Sequence, residues 1–176
     1  MAERTKSRDV AIRSYEKIES RDLARLGRLA GEDRARFFSR NPELARLYRD
    51  RVLCMALCQG AALHFVDGQN GIKDFDVWTF FVDRPSRRFP PRRPVMNADF
   101  GPSKFGRHPD HGGFAGRVVD LLMRGIDCRP AAVPVEALRL YLTERRTKSA
   151  QCLSEKAAVM IEPKRLRGLV VWPIES

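Results

Sequence analysis

Two apolar runs lying close together constrain the fold more than any other feature of the chain. VLCMALCQ, from Val52, and DFDVWTFFV, from Asp74, are each of strand length and too apolar for a surface helix. The second is rich in aromatic and β-branched residues, which suit a pleated, half-buried surface. Between them AALHFVDG reads as a short helical segment and GQNG as a loop. Strands buried on both faces need helices to cover them, so the expected class is α+β.

The remaining segments supply those layers. Leu23, Leu26, Leu29 and Ala30 recur at helical spacing, and Gly31 is expected to break the pattern before a second short run carrying Phe37 and Phe38. Asn41-Pro42-Glu43 reads as N-cap, first-turn proline and first-turn acid of a third helix with Leu44, Leu47 and Tyr48 inward. After the second strand, Arg84 to Pro94 holds five arginines and four prolines with no acid, which excludes helix and central strand. This segment is an exposed loop or arm: either a solvated connector or a set of phosphate contacts through Arg87, Arg88, Arg92 and Arg93. VMNADF and FAGRVVDLLMRGI predict a third and a fourth strand, VEALRLYLTERR and KSAQCLSEKAA helices, and VMIEP and LVVWP short strand-like pieces.

The expected architecture is one domain over 1–176, a small mixed sheet of four or five strands with helices before and after it. It divides into an N-terminal helical segment (1–51), a core (52–126) and C-terminal helices and short strands (127–176). A net charge of +11 and a pI near 10.2 favour anionic partners, although 26 arginines against 7 lysines is a bias that coding-DNA composition also produces. Four cysteines without paired close spacing read as small hydrophobes in a reducing compartment. No signal-peptide pattern follows the charged start, and no apolar run reaches membrane-span length. The expectation is a cytoplasmic protein with no membrane partner.

Asp74 and Asp76 interrupt the second apolar run. Residues i and i+2 of a strand share a face, so the two carboxylates project together while Phe75, Val77 and Phe81 face the other way. Their repulsion and loss of hydration are relieved by a divalent cation, and Mg²⁺ is typically held by one or two carboxylates plus substrate phosphates. Upstream, Gly60 ends an apolar strand and leads into a helix, a place where backbone N–H groups receive phosphate. Downstream, Asp120 stands alone inside an apolar strand, where a charge needs a partner, an exposed strand end or a metal. Asp99 in VMNADF is its rival as a third acid.

Gly60-Ala61, followed twelve residues later by Asp74-Phe75-Asp76-Val77, resembles the signature of the polymerase-beta-like nucleotidyltransferase superfamily. That signature is a small-residue turn after one strand, an acid–hydrophobe–acid–hydrophobe motif on the next, and a third acid on a later strand, here Asp120. The resemblance covers about Val52 to Met123 and implies a sheet of the nucleotidyltransferase type. It also implies Mg²⁺ or Mn²⁺ on Asp74, Asp76 and Asp120, with Asp120 the candidate base for an attacking hydroxyl. A nucleoside triphosphate would approach Gly60, Ala61 and Lys73. The turn departs from the usual pattern, since Ala61 has no hydroxyl to offer the phosphates. The expected activity is metal-dependent nucleotidyl transfer from an NTP to a hydroxyl acceptor. The alternatives are a catalytically degenerate member that binds nucleotide or nucleic acid, and an interaction protein of the toxin–antitoxin kind.

Other polar residues have a structural and a functional reading. His108 and His111, among prolines and glycines, read as loop residues rather than metal ligands, and His64 as local structure rather than a phosphate contact. Arg145, Arg146, Lys148, Ser149 and Lys156 read as a solvated basic face rather than triphosphate ligands. Trp78 and Phe80 share the carboxylate face and are expected to pack under a helix.

Overall fold

In the computed structural model, which describes residues 11–90 and 95–174, the first apolar stripe runs unbroken through one helix, α1 (Ser20–Arg40). The break expected at Gly31 does not occur. A glycine inside a helix costs about 1 kcal/mol relative to alanine. Leu23, Leu26, Ala30 and Phe38, buried on either side of it, outweigh that, since each large apolar side chain contributes about 1.5–3 kcal/mol. Asn41 does precede α2 (Pro42–Tyr48), but its side-chain amide donates to Phe37 O at 2.8 Å and so closes α1 instead of capping α2.

Both apolar runs form strands, β1 (Val52–Cys58) and β2 (Phe75–Val82), with α3 (Gln59–Asp67) between them. β3 (Met96–Asp99) and β4 (Val118–Ile126) follow, then α4 (Pro134–Glu144), α5 (Lys148–Leu153), β5 (Ala158–Glu162) and β6 (Val170–Trp172). All six strands join one mixed sheet in the order β3-β4-β2-β1-β5-β6, in which β2 and β4 are parallel and every other pair is antiparallel. The sheet exceeds the expected four or five strands because both C-terminal pieces enter it, β5 lying directly against β1.

The sheet is covered on both faces, and strand alternation assigns each residue to one of them. Leu57, Phe75, Val77, Val119 and Leu121 face α1 and α3. Cys54, Ala56, Cys58, Phe80 and Met160 face α4 and α5, whose Leu138, Leu142 and Leu153 close that side. Cys54 and Cys58 are free thiols inside this second core.

A third cluster pins the beginning of the arginine–proline segment. Phe89 stacks on Phe81 at 4.5 Å and packs beside Tyr48 and Phe38. Tyr48 donates its hydroxyl hydrogen to Asp83 at 2.9 Å, and Arg87 pairs with Glu43 at 3.0 Å. The described part of this segment is therefore folded onto α2 rather than extended as a free arm. Arg92 and Arg93 lie outside the described residues. Among the described residues no helix is long and apolar enough to cross a membrane.

Candidate functional site

Parallel pairing of β2 with β4 places Asp76 directly beside Asp120. Neighbouring strands lie about 4.8 Å apart, so the two carboxylates leave the same face of the sheet as near neighbours. Each follows from alternation: Phe75 and Val77 flank Asp76, Val119 and Leu121 flank Asp120, and all four apolar side chains enter the opposite core. Asp74 sits one residue before β2. The segment leading to it is fixed by a two-way backbone bridge between Ser14 and Ile72, with N–H···O distances of 2.9 and 2.7 Å.

The electrostatics record this crowding. Burial, and then the charges of Asp74 and Asp120, push the Asp76 carboxyl up to about 7, with Lys156 opposing. Burial and Asp74 also raise Asp120, with His111 opposing. The thiol of Cys58 is raised by burial first and then by Asp76. With Asp76 and Asp120 both raised beside Asp74, the site gains by taking up positive charge.

Among the described residues, no group of three or more His, Cys, Asp or Glu side chains is arranged to hold a metal ion by itself. The donor set nevertheless suits Mg²⁺ or Mn²⁺. These ions accept oxygen ligands, keep several waters and complete their shells on substrate phosphates, so one or two carboxylates suffice from the protein.

Gly60 stands in the first turn of α3, after Gln59, whose φ of 61° turns the chain out of β1. A side chain at position 60 would lie 3.2 Å from the Asn70 amide nitrogen and 4.0 Å from Lys156 Nζ. Asn70 itself donates to Gly60 O at 2.9 Å and Gly71 O at 3.1 Å, which ties the turn to the strand leading into Asp74. Ala61 is buried in the core under α3, so its methyl points away from this opening and only its N–H can serve a phosphate.

Lys156 is exposed, as expected of a solvated basic residue, and its ammonium also stands beside Gly60 and within electrostatic reach of Asp76. The turn between α5 and β5 carries it there, and nothing in KSAQCLSEKAA signals that direction. His111 lies in a loop, as expected, but its proximity to Asp120 was not foreseen: the loop between β3 and β4 brings it within electrostatic reach of that acid, tilted against buried His108 at 4.5 Å between ring centres. Its Nδ1 is buried and has no hydrogen-bond partner among the described residues.

Arg117 escaped notice as well. It is completely buried and donates to the carbonyls of Ala11 (2.8 Å), Phe105 (2.9 Å), Ile12 (3.0 Å) and Lys73 (3.2 Å). It thereby ties the N-terminal strap, the loop and the residue before Asp74 into one knot. Burial lowers its pKa, and Asp74 opposes that shift. An arginine at the start of a strand carries no sequence signal for such a role.

The other expected residues fall as follows. Asp99 accepts from the N–H groups of Ala115, Gly101 and Gly116 at 2.6, 2.8 and 2.9 Å. Burial pushes its carboxyl up, but these bonds outweigh burial and hold the group below its ordinary value. Its oxygens are occupied with shaping the loop. His64 accepts from Gly71 N–H on Nδ1, so its Nε2 carries the proton donated to Glu16 O; both bonds are structural, the second tying α3 to the segment before α1. Lys73 has an exposed side chain and is placed here only through its carbonyl. Arg87 and Arg88 follow the far end of β2, about 20 Å along the strand from Asp76. Arg146 pairs with Glu144 at 2.9 Å. Phe80 packs edge-on against Tyr141 of α4, with Trp78 stacked beside it.

No protein-family model, curated protein or solved structure matches the chain.

Proposed function

We propose that the chain is a metal-dependent nucleotidyltransferase, which moves a nucleotidyl group from an NTP to a hydroxyl acceptor. The reading draws on the resemblance of Gly60-Ala61 and Asp74-Phe75-Asp76-Val77 to that superfamily and on a sheet that orders these elements compatibly. The single observation that carries it is the register pairing of Asp76 with Asp120, with Asp74 at the mouth of the same strand.

In this reading Asp74 and Asp76 hold Mg²⁺ or Mn²⁺, and Asp120 completes the acidic rim. When bound, the ion neutralises phosphate charge and lowers the pKa of the attacking hydroxyl. The N–H groups of Gly60 and Ala61, at the positive end of α3, receive phosphate oxygens. Lys156 adds a mobile positive charge from the other side of the Gly60 turn. Asp120 accepts the proton of the acceptor hydroxyl as its oxygen bonds to the α-phosphorus and pyrophosphate departs. Ala61 does not impair this scheme, because its side chain belongs to the core and only its backbone faces the opening.

Calorimetric titration with a non-hydrolysable NTP and Mg²⁺ tests the site. Asp76→Asn and Asp120→Asn should each weaken binding at least about tenfold, or about 1.4 kcal/mol. Asp99→Asn, on a carboxylate committed to the loop, should leave affinity unchanged. Equal affinities for wild type, Asp76→Asn and Asp120→Asn would remove the metal–nucleotide assignment.

A further inference from the structure

A groove lined by cationic side chains lies on the face of the sheet opposite Asp76 and Asp120. α1 and the loop after β3 enclose an open groove of about 620 Å³, lined by Arg21, Arg25, Arg28 and Lys104 over Phe100, with Asp22 the one acid among the described residues of its walls. The arginines occupy positions i, i+4 and i+7 of α1. They therefore form one stripe about 10 Å long on a single helix face.

The charges are not all committed elsewhere. Lys104 is held by Glu19 at 2.8 Å and Asp22 at 3.2 Å, and Arg21 pairs with Glu19 at 2.8 Å. The Arg21–Glu19 pair is solvent-exposed, and such pairs contribute little and yield readily to a competing anion. Arg28 is exposed. Arg25 is held in position by the ring of Phe100, with its guanidinium carbon 4.8 Å from the ring centre. Its buried Nε has no hydrogen-bond partner among the described residues. An arginine held over an aromatic face has less freedom to turn its outer N–H groups, which suits phosphate oxygens.

We propose that this groove binds the phosphodiester backbone of a single nucleic-acid strand. A linear stripe of arginines tracks a chain of phosphates, whereas one compact anion would engage only part of it. The net charge of +11 supplies a long-range field of the same sign. The arginine–proline segment, a candidate in the sequence, is less suited where it is described: Phe89 packs it against Phe81 and Tyr48, and Arg84 donates its Nε–H to Leu47 O at 2.8 Å, so its arginines form no stripe along one helix face. The groove does not depend on nucleotidyl transfer and stands or falls separately from it.

The test uses the full chain with EDTA and no nucleotide, so it is blind to the carboxylate site. Fluorescence anisotropy follows a fluorescein-labelled single-stranded RNA of about 16 nucleotides, the upper end of the usual site size for one module. Affinity should fall with salt. The Arg21→Gln/Arg28→Gln double variant should bind about tenfold more weakly and lower the log–log salt slope by about 1.4, two contacts' worth for a single strand. Both side chains are exposed, so its thermal unfolding should match wild type. Arg87→Gln/Arg88→Gln should bind as wild type does. Wild-type affinity and slope in the groove variant would overturn the proposal. Displacement of the RNA by polyglutamate at equal charge would also overturn it, in favour of an acidic protein partner. Displacement by an equal concentration of pyrophosphate would overturn it in favour of a free-phosphate site.

Discussion

Replacing Asp76 with asparagine should make the metal-free protein more stable while disabling it. Asp76 is held at about 7 in the folded chain by burial and by Asp74 and Asp120, against 3.8 for an unperturbed aspartate. The folded state therefore binds this proton more tightly than the unfolded state does. Its contribution to stability is complete below about pH 4 and is lost as pH rises through 7. With about 1.36 kcal/mol per pKa unit, the wild type forfeits about 1.5 kcal/mol at pH 5 and about 4 kcal/mol at pH 8. Asparagine has nearly the same shape and cannot ionise, so Asp76→Asn escapes this loss. Relaxation and water penetration reduce the full figure, and an advantage of about 2 kcal/mol at pH 8 is expected. Urea unfolding in EDTA at pH 5 and pH 8 measures it. The gap between variant and wild type should widen with pH. An asparagine variant no more stable than wild type at pH 8, or one whose advantage ignores pH, would refute the claim that these carboxylates strain the fold.

Other substitutions separate the loop, the sheet end and the phosphate side of the site. Asp99→Asn should behave in the opposite way to Asp76→Asn. Losing acceptor capacity toward Ala115, Gly101 and Gly116 should destabilise by about 1–2 kcal/mol at pH 7 in the same urea assay, with the difference shrinking as pH falls through the lowered pKa of Asp99. Gly116→Ala would drive a methyl to 2.0 Å from the carbonyl oxygen of Gly101, backbone against which little can yield. A loss of about 3 kcal/mol or more is expected by thermal unfolding, at the upper end of overpacking penalties. Lys156→Met keeps the length of the side chain without its charge. It should weaken NTP binding about tenfold in calorimetry and leave the unfolding free energy within about 0.5 kcal/mol of wild type, as most surface changes do.

The parts of this molecule governed by local pattern were legible in the sequence. Val52–Cys58 and Phe75–Val82 announce strands by apolar content and length, and alternation within the second run turns Asp76 away from Phe75 and Val77. What alternation cannot supply is which strand lies beside which. The adjacency of Asp76 and Asp120 is a property of parallel pairing between segments some forty residues apart, and a shift of one residue would have turned Asp120 into the core. Gly31 misled because a helix-breaking tendency of about 1 kcal/mol is visible locally, while the burial that overrides it is a tertiary fact. Lys156, His111 and Arg117 went unplaced for a related reason. Each sits at a loop or strand end whose direction is set by distant contacts, in the case of Arg117 by four carbonyls from three segments.

Label transfer from NTP tests the central claim most directly. The wild-type chain is supplied with each NTP labelled at the α-phosphorus, Mg²⁺ or Mn²⁺, and a pool of hydroxyl acceptors that includes RNA and a whole-cell protein fraction. Nucleotidyl transfer at Asp74, Asp76 and Asp120 predicts that α-label enters an acceptor as pyrophosphate appears in equal amount, and that both cease with EDTA and in Asp76→Asn and Asp120→Asn. Transfer that persists in both variants, or γ-label moving to the acceptor while α-label stays on the nucleoside, would contradict it.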